Sequence, residues 1–160
     1  MPAAARAVLG ENMIRENGKR IVRKAKLVKR ILLVDDHEAL AGILVAILVQ
    51  EGYEVAWARD GEQARQLLTT EPFHLVVTDS ALPEGSGWEV ASDAKKQGLP
   101  VILSSGWPVR MSPSQLTARG VDFLCPKPCR PRQLLSLVKK ALRNSPRKVS
   151  CGTLVPESQY

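Results

Sequence analysis

Ile31-Leu32-Leu33-Val34-Asp35-Asp36 decides the fold. It is a short, branched apolar run of strand length that stops on two carboxylates. The pattern returns at Leu75-Val76-Val77-Thr78-Asp79, and a third run, Val121 to Pro126, is followed by Lys127 and Pro128. Strands lying parallel in one sheet open their C-terminal ends on a single edge, and open α/β sheets bind ligands at that edge. The three runs would gather Asp35, Asp36, Asp79 and Lys127 there. Close carboxylates repel one another unless a cation sits between them. A hard, oxygen-seeking ion such as Mg2+ suits such a set.

Outward from these runs, strand and helix signals alternate. Strands are expected at about 30–35, 53–58, 73–79, 100–104 and 121–125. Between them, the spacing of Leu40, Leu44, Ile47 and Leu48 predicts a helix over 38–51, closed by Gly52. Asp60 caps a helix over 61–70, and another runs over 87–97 up to Gly98. Ser112-Pro113 starts a short helix that Gly120 ends, and Pro131 starts the last, through about Arg143. Five strands alternating with five helices predict a doubly wound five-stranded parallel sheet, flavodoxin-like in order, with helices on both faces.

A chain of 160 residues has room for one such domain and short flanks. Residues 30–143 are expected to form it, with an arm at 1–29 and a short flexible tail at 144–160. The longest apolar stretch, Ala39 to Val49, contains Gly42 and is too short to cross a membrane. The N-terminus has no hydrophobic run of secretion-signal length, and Met13 is an alternative start. Cys125, Cys129 and Cys151 are an odd number without framework spacing, so reduced thiols in a cytoplasm are expected. Cys125 and Cys129 lack a third and fourth ligand for zinc.

The net charge of +7 is carried by the ends. Residues 1–30 hold nine Lys or Arg against Glu11 and Glu16, whereas residues 31–142 hold eleven basic and thirteen acidic residues. Gly10 and Gly18 interrupt any helix in the arm, which is expected to be disordered or partly helical. Nucleic-acid binding would have to rest on residues 19–30.

The motifs in order resemble the receiver domain of bacterial two-component response regulators, in particular the receivers attached to hybrid sensor kinases. Val34-Asp35-Asp36 is similar to the family's acidic pair after its first strand. Asp79-Ser-Ala-Leu-Pro-Glu-Gly-Ser-Gly87 resembles the phosphoacceptor with its downstream Leu-Pro and Gly. Pro100 to Gly106 resembles the fourth strand with its terminal hydroxyl, and Lys127-Pro128 the family's Lys-Pro pair. Four matches at the expected strand ends are far more specific than any one.

The resemblance implies that Asp79 accepts a phosphoryl group, with Mg2+ held by Asp35, Asp36, Asp79 and the backbone carbonyl of Ala81. It implies that Lys127 covers one phosphoryl oxygen and Ser105 hydrogen-bonds another. Ser104 is adjacent, and strand alternation is expected to turn it the other way. The implied partners are a sensor histidine kinase or histidine phosphotransfer protein and a downstream protein target. The chain would be a signalling domain rather than an enzyme, with Mg2+-dependent self-phosphorylation and autodephosphorylation. The 17 or so residues after the last helix are too few for an output domain. Neither His37 nor His74 sits in a kinase phosphoacceptor pattern.

Bland roles compete at each position. Asp35 and Asp36 alone read as a helix cap and a solvated neighbour, Asp79 alone as a turn residue and Lys127 alone as a surface charge. Trp88 and Trp107 read as packing or rim residues. Three departures bear on signalling: Leu124 stands where the family has an aromatic, Cys129 follows Lys-Pro in place of another, and Pro126 precedes the lysine. The complete acidic set favours a working phosphoacceptor; the altered positions favour a phosphorylation-independent interaction module.

Overall fold

The computed structural model describes residues 12–16, 19–23 and 27–145. Expectations for residues 1–11, 17–18, 24–26 and 146–160 lie outside these. The arm departs from expectation: Asn12–Glu16 (β1) and Lys19–Arg23 (β2) pair antiparallel, with Ile14 opposite Ile21 and Met13 opposite Val22. A disordered or partly helical arm is therefore corrected at these ten residues. The physical reason is legible in hindsight. β-Branched residues favour strands, and Asn17-Gly18 between the two runs is the strongest short hairpin signal.

The remaining elements are β3 (Arg30–Val34), α1 (Glu38–Gln50), β4 (Glu54–Ala58), α2 (Gly61–Thr70) and β5 (Leu75–Asp79). They continue with α3 (Gly87–Lys96), β6 (Val101–Ser105), α4 (Pro113–Ala118), β7 (Phe123–Pro126) and α5 (Pro131–Asn144). The strands form one parallel sheet in the order β4-β3-β5-β6-β7. The chain starts at β3, steps outward to β4, then returns past β3 to build the other side. The reversal of direction between β3 and β5 opens a crevice at their C-terminal ends.

Strand alternation divides the core in two. Leu32, Val34, Val76, Val101 and Leu103 pack against Ala64, Leu68, Val90, Ala91 and Ala94 of α2 and α3. Ile31, Leu33, Leu75, Val77 and Ile102 pack against Ala41, Leu44, Leu48, Leu134, Val138 and Ala141 of α1 and α5. With both faces covered, the central strands can be apolar throughout, which is why their sequences are near-continuous runs rather than alternations. Each fully buried aliphatic side chain contributes about 1.5–3 kcal/mol of transfer free energy. The edge residues that follow these runs are thus held by the best-anchored backbone in the domain.

No described helix is long and apolar enough to cross a membrane.

Candidate phosphoacceptor site

Register brings the carboxylates together. Val34 pairs with Thr78, so Asp35 and Asp79 leave adjacent strands side by side. They continue the parity of Leu33 and Val77, so both lean to the α1 and α5 side of the sheet. One carboxylate oxygen from each of Asp35, Asp36 and Asp79 falls within 4.8 Å of the others. Asp35 is 4% and Asp79 6% exposed, whereas Asp36 is exposed.

Each buried carboxylate is oriented by backbone. Asp35 Oδ1 accepts from the His37 amide at 2.8 Å. Its own amide donates to Ala58 at 3.1 Å, and its carbonyl accepts from the Trp57 indole at 2.8 Å. The sequence reading missed Trp57; its place at the end of the neighbouring strand, opposite Leu33, was the available signal. His37 rather than either aspartate caps α1, with Nδ1 accepting from the Leu40 amide at 3.2 Å. Both aspartates are therefore free of the capping duty the bland reading assigned them.

Asp79 Oδ1 accepts from the Ala81 amide at 3.1 Å, and Oδ2 lies 2.5 Å from Lys127 Nζ. The loop beyond Asp79 doubles back so closely that Ala81 bridges Ser86 and the Gly87 amide donates to Ser80. A Cβ at Gly87 would lie 1.8 Å from the Asp79 carbonyl oxygen, so only glycine lets α3 start there. Ser86 caps that helix in a reciprocal box with Glu89.

The Asp35 carboxyl is pushed above its ordinary range. Burial is the main cause, and the charges of Asp79 and Asp36 add to it. The His37 amide and Lys127 oppose the shift without cancelling it. A buried carboxylate with like-charged neighbours and one lysine is undersupplied with positive charge, and the residues fit a hard divalent cation.

Lys127 arrives from β7, where its amide donates to Ser105 at 2.9 Å. The two adjacent serines sit in different surroundings. Ser104, paired in register with Asp79, lines the small cavity that Asp79, Asp35, Lys127, Leu40 and Cys129 also line. Ser105, 8% exposed, shares strand parity with Leu103. Its hydroxyl donates to the Trp107 carbonyl at 3.1 Å and accepts from the Trp107 amide at 3.2 Å. By strand parity Ser104 continues the face of Ile102 and Ser105 that of Leu103. Trp107 is 82% exposed on the rim, whereas Trp88 packs against the core with Arg119 over its ring. Leu124 packs on that same side of the sheet, and Phe123 on the other.

The thiol expectation is corrected for Cys125 and Cys129, while Cys151 lies outside the described residues. Cys125 and Cys129 form a disulfide, their Cα atoms 6.0 Å apart. The two half-cystines are four residues apart, with Pro126, Lys127 and Pro128 between them.

Residues 31–139 match the response regulator receiver domain model, and the chain belongs to that family. It is similar to Protein PetR of Rhodobacter capsulatus, with 32% identity over 76% of this chain and 52% of that protein. It is also similar to the alkaline phosphatase synthesis transcriptional regulatory protein PhoP of Bacillus subtilis, with 34% identity over 73% of this chain and 50% of that protein. The chain spans about half the length of these curated relatives. Among solved structures it resembles a CheY-like receiver domain protein from Methanospirillum hungatei, with a TM-score of 0.69 and 32% identity. That match covers 74% of this chain and 96% of the other. It also resembles the response regulator TrrA from Thermotoga maritima, solved in complex with Mg2+-BeF, with a TM-score of 0.63 and 33% identity. Here the coverage is 72% of this chain and all of the other.

Proposed function

We propose that this receiver takes a phosphoryl group onto Asp79 from a phosphohistidine of a sensor kinase or phosphotransfer protein and hands the signal to a downstream protein. The observation that carries this reading is the placement of Asp79, whose Oδ1 is fixed by the Ala81 amide and whose Oδ2 pairs with Lys127.

A carboxylate oxygen of Asp79 attacks phosphorus, the bond to the donor nitrogen breaks, and an acyl phosphate forms. Lys127 then exchanges its partner, turning from the carboxylate to a phosphoryl oxygen without leaving the site. Asp35, Asp36, Asp79 and the Ala81 carbonyl would hold Mg2+. When bound, that ion supplies the positive charge which the transferring group needs. Ser105 is the hydroxyl proposed for a further phosphoryl oxygen, which requires it to release Trp107. Autodephosphorylation would return Asp79 to its starting state. A cytoplasmic site of action follows from this partner class. The TrrA complex with Mg2+-BeF supports the same use of the acidic cluster.

Incubation with Mg2+ and acetyl phosphate, followed by intact mass, tests the reading. The parent should gain one phosphoryl group and Asp79→Asn none. A full gain in Asp79→Asn would move the acceptor elsewhere, and no gain in the parent would favour a phosphorylation-independent interaction module.

A further inference from the structure

Lys127 stands inside a covalent loop. Cys125 ends the buried part of β7 among Ile102, Leu134 and Val138, and Cys129 precedes α5, which Pro131 starts. The disulfide closes residues 125–129 into a ring whose middle residue is the lysine that touches Asp79. Cys129 is half-buried and lines the same small cavity as Asp35, Asp79 and Lys127. The other restraints on Lys127 are one backbone bond to Ser105 and its flanking prolines.

We propose that Cys125 and Cys129 are a reversible oxidation site that sets the grip of Lys127 on the phosphoryl group, an inference that rests on the phosphoacceptor reading above. The reacting partner is a dithiol. Its thiolate attacks the accessible Cys129 sulfur, the Cys125–Cys129 bond breaks, and Cys125 leaves with the electron pair and takes up a proton. The second thiol of the reductant resolves the mixed disulfide. The products are two cysteine thiols here and one disulfide in the reductant, a balanced two-electron exchange. Attack falls on Cys129 because Cys125 is shut in the core. The oxidised ring holds Lys127 against Asp79; the reduced segment keeps the same residues with one fewer restraint. Cys125 and Cys129 are positioning residues in this scheme, since Lys127 alone touches the reacting group. Small misplacements of a positioning group are costly in rate.

The test uses the full chain with Cys151→Ser, prepared oxidised or reduced with dithiothreitol, its state verified by alkylation under denaturing conditions and intact mass. Beryllofluoride affinity with Mg2+ is read from tryptophan fluorescence, and phosphoryl gain from mass. Reduction should weaken beryllofluoride binding by roughly three- to tenfold, as expected for loosening, not losing, one charge-assisted hydrogen bond. Cys125→Val/Cys129→Ala should match the reduced parent and ignore dithiothreitol. In Lys127→Ala, reduction should make no further difference, because the two changes act through one contact. Reduction of a merely structural disulfide would lower stability equally in both backgrounds and leave beryllofluoride affinity unchanged, which would overturn the proposal. The proposal is overturned if oxidised and reduced parent bind and react alike, or if both cysteines alkylate fully after oxidation. If neither redox state takes a phosphoryl group, the phosphoacceptor reading fails and this one with it.

Discussion

Every residue of β5, Leu75–Asp79, is buried, whereas no residue from Gly106 through Arg119 is. The two regions lie at the same end of the sheet and share Ser105 as their boundary. The floor carries Asp35 and Asp79 on strands that both core layers grip. The rim consists of a loop and the six-residue α4, which buries no residue of its own and keeps Leu116 half-covered against the core. It is tethered by Lys95 to the Thr117 carbonyl and by Arg119 over Trp88. Local stability tracks buried contact, so opening of the rim costs far less than movement of the floor. A phosphoryl group shifts a structure only by interacting differently with two arrangements of it. A second arrangement therefore costs least in the rim.

The largest effect should come from forcing the floor to move. Gly87→Ala places a methyl group into the Asp79 carbonyl, and about 3 kcal/mol of destabilisation is expected from such overpacking. Urea unfolding would measure it, and a loss under about 0.5 kcal/mol would mean that the floor yields. Next is the acidic cluster. The folded state holds the Asp35 proton more tightly than the unfolded chain does, so the native state binds more protons in that interval. Stability without metal should therefore fall as pH rises from 3.8 through the raised value, then level off. Asp35→Asn should remove this fall and leave the metal-free domain more stable at neutral pH, while Mg2+ should stabilise only the parent. Thermal melts across pH, with and without Mg2+, check the sign.

The boundary between floor and rim is tested by its two hydroxyls. Ser105→Ala should slow phosphoryl transfer and also loosen the loop, since it deletes both bonds to Trp107. Ser104→Ala should alter the transfer rate alone. Equal loosening in both variants would erase the distinction drawn between them. The smallest static effect belongs to the rim. Trp107→Ala should change stability by less than about 0.5 kcal/mol, as exposed positions do. Hydrogen exchange with beryllofluoride should nonetheless change most over 106–119. Changes confined to α1 would break the comparison.

The apolar runs, their terminal carboxylates and the lysine were legible because burial on both faces leaves an unmistakable pattern, one that needs no partner to be read. Ile31–Asp36 and Leu75–Asp79 therefore announced both the parallel sheet and the members of the acidic cluster. Helix starts followed from local signals, as at Asp60 and Ser112-Pro113, because capping is a bond between near neighbours. Other features depended on partners distant in sequence or on a turn whose geometry no propensity encodes. The Trp57 indole reaches Asp35 only once β3 and β4 are in register. Which face of the sheet Ser104 and Ser105 each continue is a question of strand parity at the last residue, where a shift of one position reverses the answer. The Cys125–Cys129 bond needed the short connection from β7 to α5 to bring its ends within reach. Local chemistry was thus enough to name Asp79 and Lys127, while long-range register and chain reversal decided what holds them.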